Sequence, residues 1–236
     1  MSGALPVLAG TAAGIGLVHT LIGPDHYLPF IVMARARRWS SVRTAVITTL
    51  CGLGHVGSSV ALGFAGALLG IAVFKLKAIE AIRGDIAAWF LIVFGLVYMV
   101  WGLRRALRNR PHEHIHVHGE GGSHVHVHRH NGEHVHVHEN GPADVTPWVL
   151  FTIFVFGPCE PLIPLVMYPA AQGRYGEAVF VAAVFGLTTI ATMLAVVLTS
   201  SLGLSRLPLH RLERYSHAAA GLAITLCGGA IKFLGL

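Results

Sequence analysis

Gly23-Pro24-Asp25-His26-Tyr27-Leu28-Pro29-Phe30-Ile31-Val32-Met33 returns 134 positions later as Gly157-Pro158-Cys159-Glu160-Pro161-Leu162-Ile163-Pro164-Leu165-Val166-Met167, with five identities. Both copies sit inside long apolar runs. Asp25 with His26 in one copy, and Cys159 with Glu160 in the other, therefore fall at membrane depth. There an ionisable side chain costs ~2.5–3.5 kcal/mol on insertion scales and marks an ion or substrate path rather than packing.

The rest of the chain fits a membrane protein. Of its 236 residues 54% are hydrophobic and 12% charged, and its mean hydropathy is +0.65. About 20 apolar residues cross a bilayer, and six segments qualify, near 5–34, 44–74, 86–103, 147–172, 178–204 and 215–236. The expected fold class is an all-α membrane protein of six transmembrane helices. No Lys or Arg precedes Arg35, so the N-terminal run lacks the basic start of a cleaved leader and reads as the first span. Arginines concentrate in the connections after spans one, three and five, and the excess of Lys and Arg marks the cytoplasmic side. Both termini are then expected outside, in the plasma (inner) membrane. The net charge of +6 comes without a basic face carrying interleaved aromatics, which excludes nucleic acid as a partner. Cys51, Cys159 and Cys227 all fall in predicted spans and form no secreted disulfide framework.

The 134-residue offset continues beyond the opening motif. Ala36 matches Ala170, Gly52-Leu53 matches Gly186-Leu187, and Ala61 matches Ala195. Three spans per copy is an odd number, so the second copy enters from the opposite side. That is the inverted-repeat plan, with a site near the midplane where interrupted helices meet. Gly-Pro supplies the interruption, because proline lacks a backbone donor and clashes with the preceding turn. The expected division is a first three-helix repeat over 1–107, a His-rich cytoplasmic loop over 108–144 and a second repeat over 145–236.

The loop holds eleven of the sixteen histidines in three alternating blocks: His112, His114, His116 and His118; His124, His126, His128 and His130; His134, His136 and His138. Alternation puts every histidine of an extended strand on one face. The connectors GEGGS and Asn131-Gly132-Glu133 contain glycines suited to hairpin turns. Two readings stand: a three-stranded meander pairing His118 with His124 and His130 with His134, or a metal-binding tract without fixed structure.

Within the spans the candidate ligands are His19, Asp25, His26 and His55 from the first repeat and Cys159 and Glu160 from the second. His19 and His26 lie seven apart and share a face if the helix is continuous. Imidazole, carboxylate and one thiolate suit borderline divalent ions such as Ni²⁺, Co²⁺ or Zn²⁺ better than Mg²⁺ or Ca²⁺. Asp25 and Glu160 stand as the buried acids, with Lys232 as the basic side chain inside the spans, so a cation or a proton is needed to neutralise them. Proton-coupled movement of a divalent metal follows as the expected function, in a transporter rather than an enzyme, with no permanently bound cofactor. A cytoplasmic metallochaperone and a second copy of the chain are the protein partners this reading admits, and the lipid bilayer is its medium.

At these residues the chain resembles the nickel/cobalt transporter superfamily, especially its short UreH-like and high-affinity nickel-transport-like branch. His19-Thr20-Leu21-Ile22-Gly23-Pro24-Asp25-His26 looks like that branch's helix-one motif. Leu53-Gly54-His55-Val56-Gly57-Ser58 is similar to its helix-two motif, and Gly157-Pro158-Cys159-Glu160-Pro161 resembles the Pro-Cys element of nickel/cobalt efflux proteins. The resemblance implies nickel or cobalt as cargo and leans toward efflux. Two alternatives remain. A thiol-redox conduit of the cytochrome c biogenesis type shares a three-plus-three repeat and a Pro-Cys motif, but needs a second cysteine where this chain has Asp25. A membrane-tethered metal-storage protein would use the histidine loop alone.

Overall fold

The computed structural model describes residues 5–108, 112–117, 123–128, 145–205 and 213–235. The first apolar run forms α1 (Leu5–Ile22), a 3₁₀ turn (Pro24–His26) and α2 (Leu28–Arg37). Gly23 N–H still closes onto the His19 carbonyl at 3.0 Å, but Pro24 has no N–H to continue the ladder, and the chain tightens into the short turn. Arg38 ends α2 in the left-handed region at φ 52°, with its N–H on the carbonyls of Ala34 and Arg35. Ser40 then caps α3 (Ser41–Leu68), its hydroxyl accepting from the Arg43 N–H at 3.2 Å.

Next comes α4 (Val73–Arg108), the longest helix at 36 residues. The second apolar run repeats the interruption as α5 (Thr146–Phe156), a break at residues 157–161, and α6 (Leu162–Ala171). The chain closes with α7 (Tyr175–Ser205), a 3₁₀ turn (Glu213–Tyr215) and α8 (Ser216–Leu234). Among the described residues five helices, α1, α3, α4, α7 and α8, are long and apolar enough to cross a membrane. The expected fourth span arrives in pieces of 11 and 10 residues. At ~1.5 Å per residue neither reaches across the ~30 Å of a hydrocarbon core alone.

The third span departs from expectation in a way that matters for the site. Hydropathy places it over 86–103, yet α4 begins at Val73, which puts Glu80 and Arg83 on the helix and Glu80 at 0% exposure. The two stand at i and i+3, where one turn lets them neutralise each other.

The packing runs between distant parts of the chain: α1 lies on α7, α3 on α5, α6 and α7, and α4 on α8. The α4–α8 crossing is built from glycines. A Cβ on Gly95 would stand 2.5 Å from the Thr225 backbone nitrogen, and one on Gly221 would strike the Met99 backbone. Backbones this close gain dispersion contacts that a bilayer cannot supply by hydrophobic burial. Phe30, Met33, Leu150, Phe154, Met193 and Ile224 fill one core cluster, and Leu162, Val166, Val181 and Phe185 belong to another. The outer surface is equally apolar, with Leu21, Leu53, Val97, Leu187 and Leu226 all exposed, as contact with lipid requires.

In the histidine-rich insert β1 (His112–Val117) and β2 (Ser123–His128) pair antiparallel. The register sets His112 opposite His128, His114 opposite His126 and His116 opposite His124. The expected pairing of His118 with His124 is thus shifted by two residues, which preserves histidine opposite histidine because the strand period is two. His118 and His130, the third block of His134, His136 and His138, and the meander that would join it lie outside the described residues.

Candidate functional site

The first helix break turns His19 and His26 toward each other. The helix is not continuous between them, yet the 3₁₀ turn brings the rings to a centroid separation of 4.7 Å, edge to face. His55 reaches the same point from α3, its ring 5.0 Å from that of His26 and perpendicular to it. His26 Nε2 and His55 Nε2 stand 3.3 Å apart. Ring nitrogens of His19, His26 and His55 all lie within 4.8 Å of one another, with His26 and His55 buried.

Asp25 holds one of these rings. Its Oδ1 lies 3.0 Å from His26 Nδ1, and the Gly23 carbonyl lies 3.1 Å from the same nitrogen. Two oxygen acceptors at Nδ1 favour a proton there, which leaves the Nε2 lone pair facing His55. This is the outer-shell arrangement that fixes the tautomer of a ligating histidine. A gap at residue 23 makes it fit, since a Cβ on Gly23 would come within 2.6 Å of His26 Nδ1 and 2.7 Å of Asp25 Oδ1.

The second break contributes Cys159, fully buried, with Sγ 3.8 Å from His19 Nε2. Its backbone N–H donates to Glu80 Oε2 at 2.9 Å. Glu80 also pairs with Arg83 and accepts from the Ser59 hydroxyl at 3.2 Å. Arg83 in turn donates to the Val155 carbonyl at 2.7 Å and the Ser58 hydroxyl at 2.6 Å, and Ser58 donates to the His55 carbonyl at 2.9 Å. The three imidazoles and Asp25 line a cavity of about 540 Å³, walled otherwise by apolar side chains such as Ile15, Leu91 and Phe154.

Of the six intramembrane candidates, the structure clusters the ring nitrogens of His19, His26 and His55, sets Asp25 on His26 and places Cys159 beside His19. Glu160 is the exception. It sits in the turn before α6, its carbonyl accepting from Ile163 N–H, and it is not among the residues lining the cavity. The offset sets it opposite His26, but the unwound segment turns Cys159 inward in its place. The second buried acid near the site is Glu80, which hydropathy alone leaves in a connection. The reading of Lys232 as the basic group inside the spans is corrected likewise: Arg83 serves the break, while Lys232 pairs with Asp85 at 2.8 Å toward the end of α8. Cys51 and Cys227 are buried free thiols.

Comparison with known families decides the lineage. The model of the cytochrome C biogenesis protein transmembrane region matches residues 27–230. The chain belongs to that family. No curated protein and no solved structure matches it. The resemblance to nickel/cobalt transporters is therefore withdrawn, together with nickel and cobalt as the implied cargo, because the family match runs through nearly every described helix. As a matter of lineage this favours the thiol-redox alternative over metal transport. The matched residues contain His55, Glu80, Arg83 and Cys159, while His19, Asp25 and His26 precede them.

Proposed function

We propose that this member of the cytochrome c biogenesis transmembrane family is a membrane carrier whose cargo is a divalent cation of tetrahedral preference, Zn²⁺ being the type, held between the two helix breaks. The observation that carries the reading is the spacing of the donors. Two nitrogens each ~2.0–2.1 Å from a tetrahedral zinc stand ~3.3–3.4 Å apart, and a nitrogen and a thiolate sulfur at ~2.3 Å stand ~3.5–3.6 Å apart. His26 Nε2 and His55 Nε2 are 3.3 Å apart, and Cys159 Sγ is 3.8 Å from His19 Nε2. Three imidazole nitrogens within 4.8 Å of one another, with the Cys159 sulfur beside His19, make a donor set for a borderline ion, and the hard ions Mg²⁺ and Ca²⁺ fit it poorly.

In this reading His19, His26 and His55 are the ligands, Cys159 stands beside His19 as a further donor and Asp25 orients His26. The two breaks belong to inverted repeats of three spans each, a plan that the exchange of partners between α1–α7 and α3–α5/α6 supports. Ligands that bind either a proton or the ion make exchange of cation for protons the natural coupling. The histidine hairpin would face the cytoplasm and collect ions there for export.

The family match supports a second reading, a thiol-redox conduit centred on Cys159. That chemistry passes a disulfide between two cysteines. In the first repeat the matching position is Asp25, and Cys51 packs in a different core cluster from Cys159. All three thiols are free in the structure, and without a disulfide to Cys51 or Cys227 the Cys159 thiol could only form a mixed disulfide with an outside partner. The protein in lipid nanodiscs, titrated with Zn²⁺ by calorimetry, and in proteoliposomes with a zinc indicator inside, separates the two. One site per chain beyond the binding due to the histidine-rich insert, and zinc flux, both lost in His55→Ala, are expected. No zinc binding beyond that of the insert, with thiol-disulfide exchange at Cys159 that survives His55→Ala, would replace the cation reading by the redox one.

A further inference from the structure

The two helix breaks are held in different ways. An interrupted helix leaves carbonyl and amide groups without intrahelical partners, and inside a membrane each must be satisfied by protein. The first break closes mostly on itself: His26 N–H bonds the Gly23 carbonyl, Tyr27 N–H the Pro24 carbonyl, and Asp25 caps His26. At the second break the partners come from α4, far back in the chain. Glu80 accepts the Cys159 N–H, and Arg83 takes the Val155 carbonyl with a longer contact of 3.5 Å to Gly157.

Two charges in a membrane interior are costly even as a pair, and a plain packing role is served better by apolar side chains. What this pair does that apolar residues could not is bind both polarities of one broken backbone. Carboxylate meets amide and guanidinium meets carbonyl. Ser59, at 0% exposure, and Ser58 tie the same pair to α3 directly after His55. A Cβ at Gly84, the residue after Arg83, would stand 2.8 Å from Pro158, so α4 lies against the break itself.

We propose that Glu80 and Arg83 form a fixed clamp on the second helix break, positioning the Cys159 backbone, and with it the thiol, against His19. They are positioning residues: neither is a ligand, and neither lines the cavity. What is positioned rests on the cation reading above, but the clamp is measurable without any cation.

The measurement is the alkylation rate of Cys159 by a maleimide in nanodiscs, in full-length protein carrying Cys51→Ala and Cys227→Ala. Loss of a buried bond to a charged group raises the population of the locally open break, so Glu80→Ala should label about tenfold faster or more. Glu80→Gln keeps an oxygen for the Cys159 N–H and should stay within about threefold of the parent, which a merely space-filling role would not predict. Arg83→Lys, with a single ammonium that cannot span Glu80 and Val155, carries the same expectation as Glu80→Ala if that variant is not recovered folded. A reporter with Cys227 as the one remaining cysteine, given the same substitutions, should keep its rate.

Three results would overturn the clamp: an unchanged Cys159 rate in folded Glu80→Ala and Arg83→Lys, equal acceleration by Glu80→Gln and Glu80→Ala, or acceleration at Cys227 as well. Zinc enters as a separate arm, in which Zn²⁺ protects Cys159 in the parent and protects less in Glu80→Ala. Absence of protection in the parent counts against thiolate ligation alone and leaves the labelling result standing.

Discussion

Replacing Asp25 by asparagine changes one charge at the site and almost no shape. The carbonyl oxygen of the substituted amide could still accept from His26 Nδ1, which lies 3.0 Å from Asp25 Oδ1 in the native chain, so the ring should keep its place. What is lost is the carboxylate's electron donation through the imidazole and its attraction for a cation bound at Nε2. Outer-shell carboxylates of this kind are worth about 10–100-fold in metal affinity, which is about 1.4–2.8 kcal/mol at ~1.4 kcal/mol per decade. Competition between the nanodisc protein and a chromophoric zinc chelator reads this directly. The expected result for Asp25→Asn is a dissociation constant raised within that range, with unchanged stoichiometry and a thermal midpoint close to the parent in the absence of zinc. Two results refute the reasoning. Equal affinity would mean Asp25 does not act through His26, and loss beyond about a thousandfold would mean it ligates the ion itself.

Other expectations follow from single contacts. Gly95→Ala places a methyl against the Thr225 backbone and should cost about 1–3 kcal/mol as overpacking of a backbone-to-backbone crossing, read as a lower thermal midpoint in detergent. Tyr98→Phe removes the hydroxyl that lies 2.7 Å from His217 Nδ1, and the loss of that bond should cost about 0.5–1.5 kcal/mol by the same measurement, with zinc affinity unchanged. Gly23→Ala should weaken zinc binding without removing a ligand, because the added Cβ meets both His26 and Asp25. Deleting 112–128, which holds both strands of the insert, should slow zinc flux at low zinc and leave the calorimetric intramembrane site intact; flux abolished at all concentrations would move the site into the insert.

Gly23-Pro24 and Gly157-Pro158 were legible as helix breaks because a missing N–H inside an apolar run has one local consequence, whatever the fold around it. His26 and His55 were legible for a related reason, since an imidazole in a span has few uses. Their meeting was not forced by the seven-residue spacing of His19 and His26, which presumed an unbroken helix; the turn that ended the helix is what made the rings converge. The insert shows the same division between period and register. Parity of histidines was set by alternation alone, while the register, with His116 opposite His124, was not.

Glu80 and Glu160 mark where one-dimensional reading reached its limit, and they failed in opposite directions. Glu160 reads as a site residue because it occupies the repeat position of His26, but a repeat transfers backbone course and not the rotation of an unwound segment. Glu80 reads as a connection because Lys75, Lys77, Arg83 and Asp85 surround it, and hydropathy adds those charges without noticing that Glu80 and Arg83 cancel at one turn's spacing. Once paired, they no longer need water, and the helix can carry them to the depth of Cys159. A charge that enters the membrane already neutralised is invisible to a hydropathy window, yet it is the kind best suited to satisfy a broken backbone, because it can offer a donor and an acceptor from one helix face. The least apolar stretch of α4 therefore lies against the second break, where the carbonyl of Val155 and the amide of Cys159 both need partners.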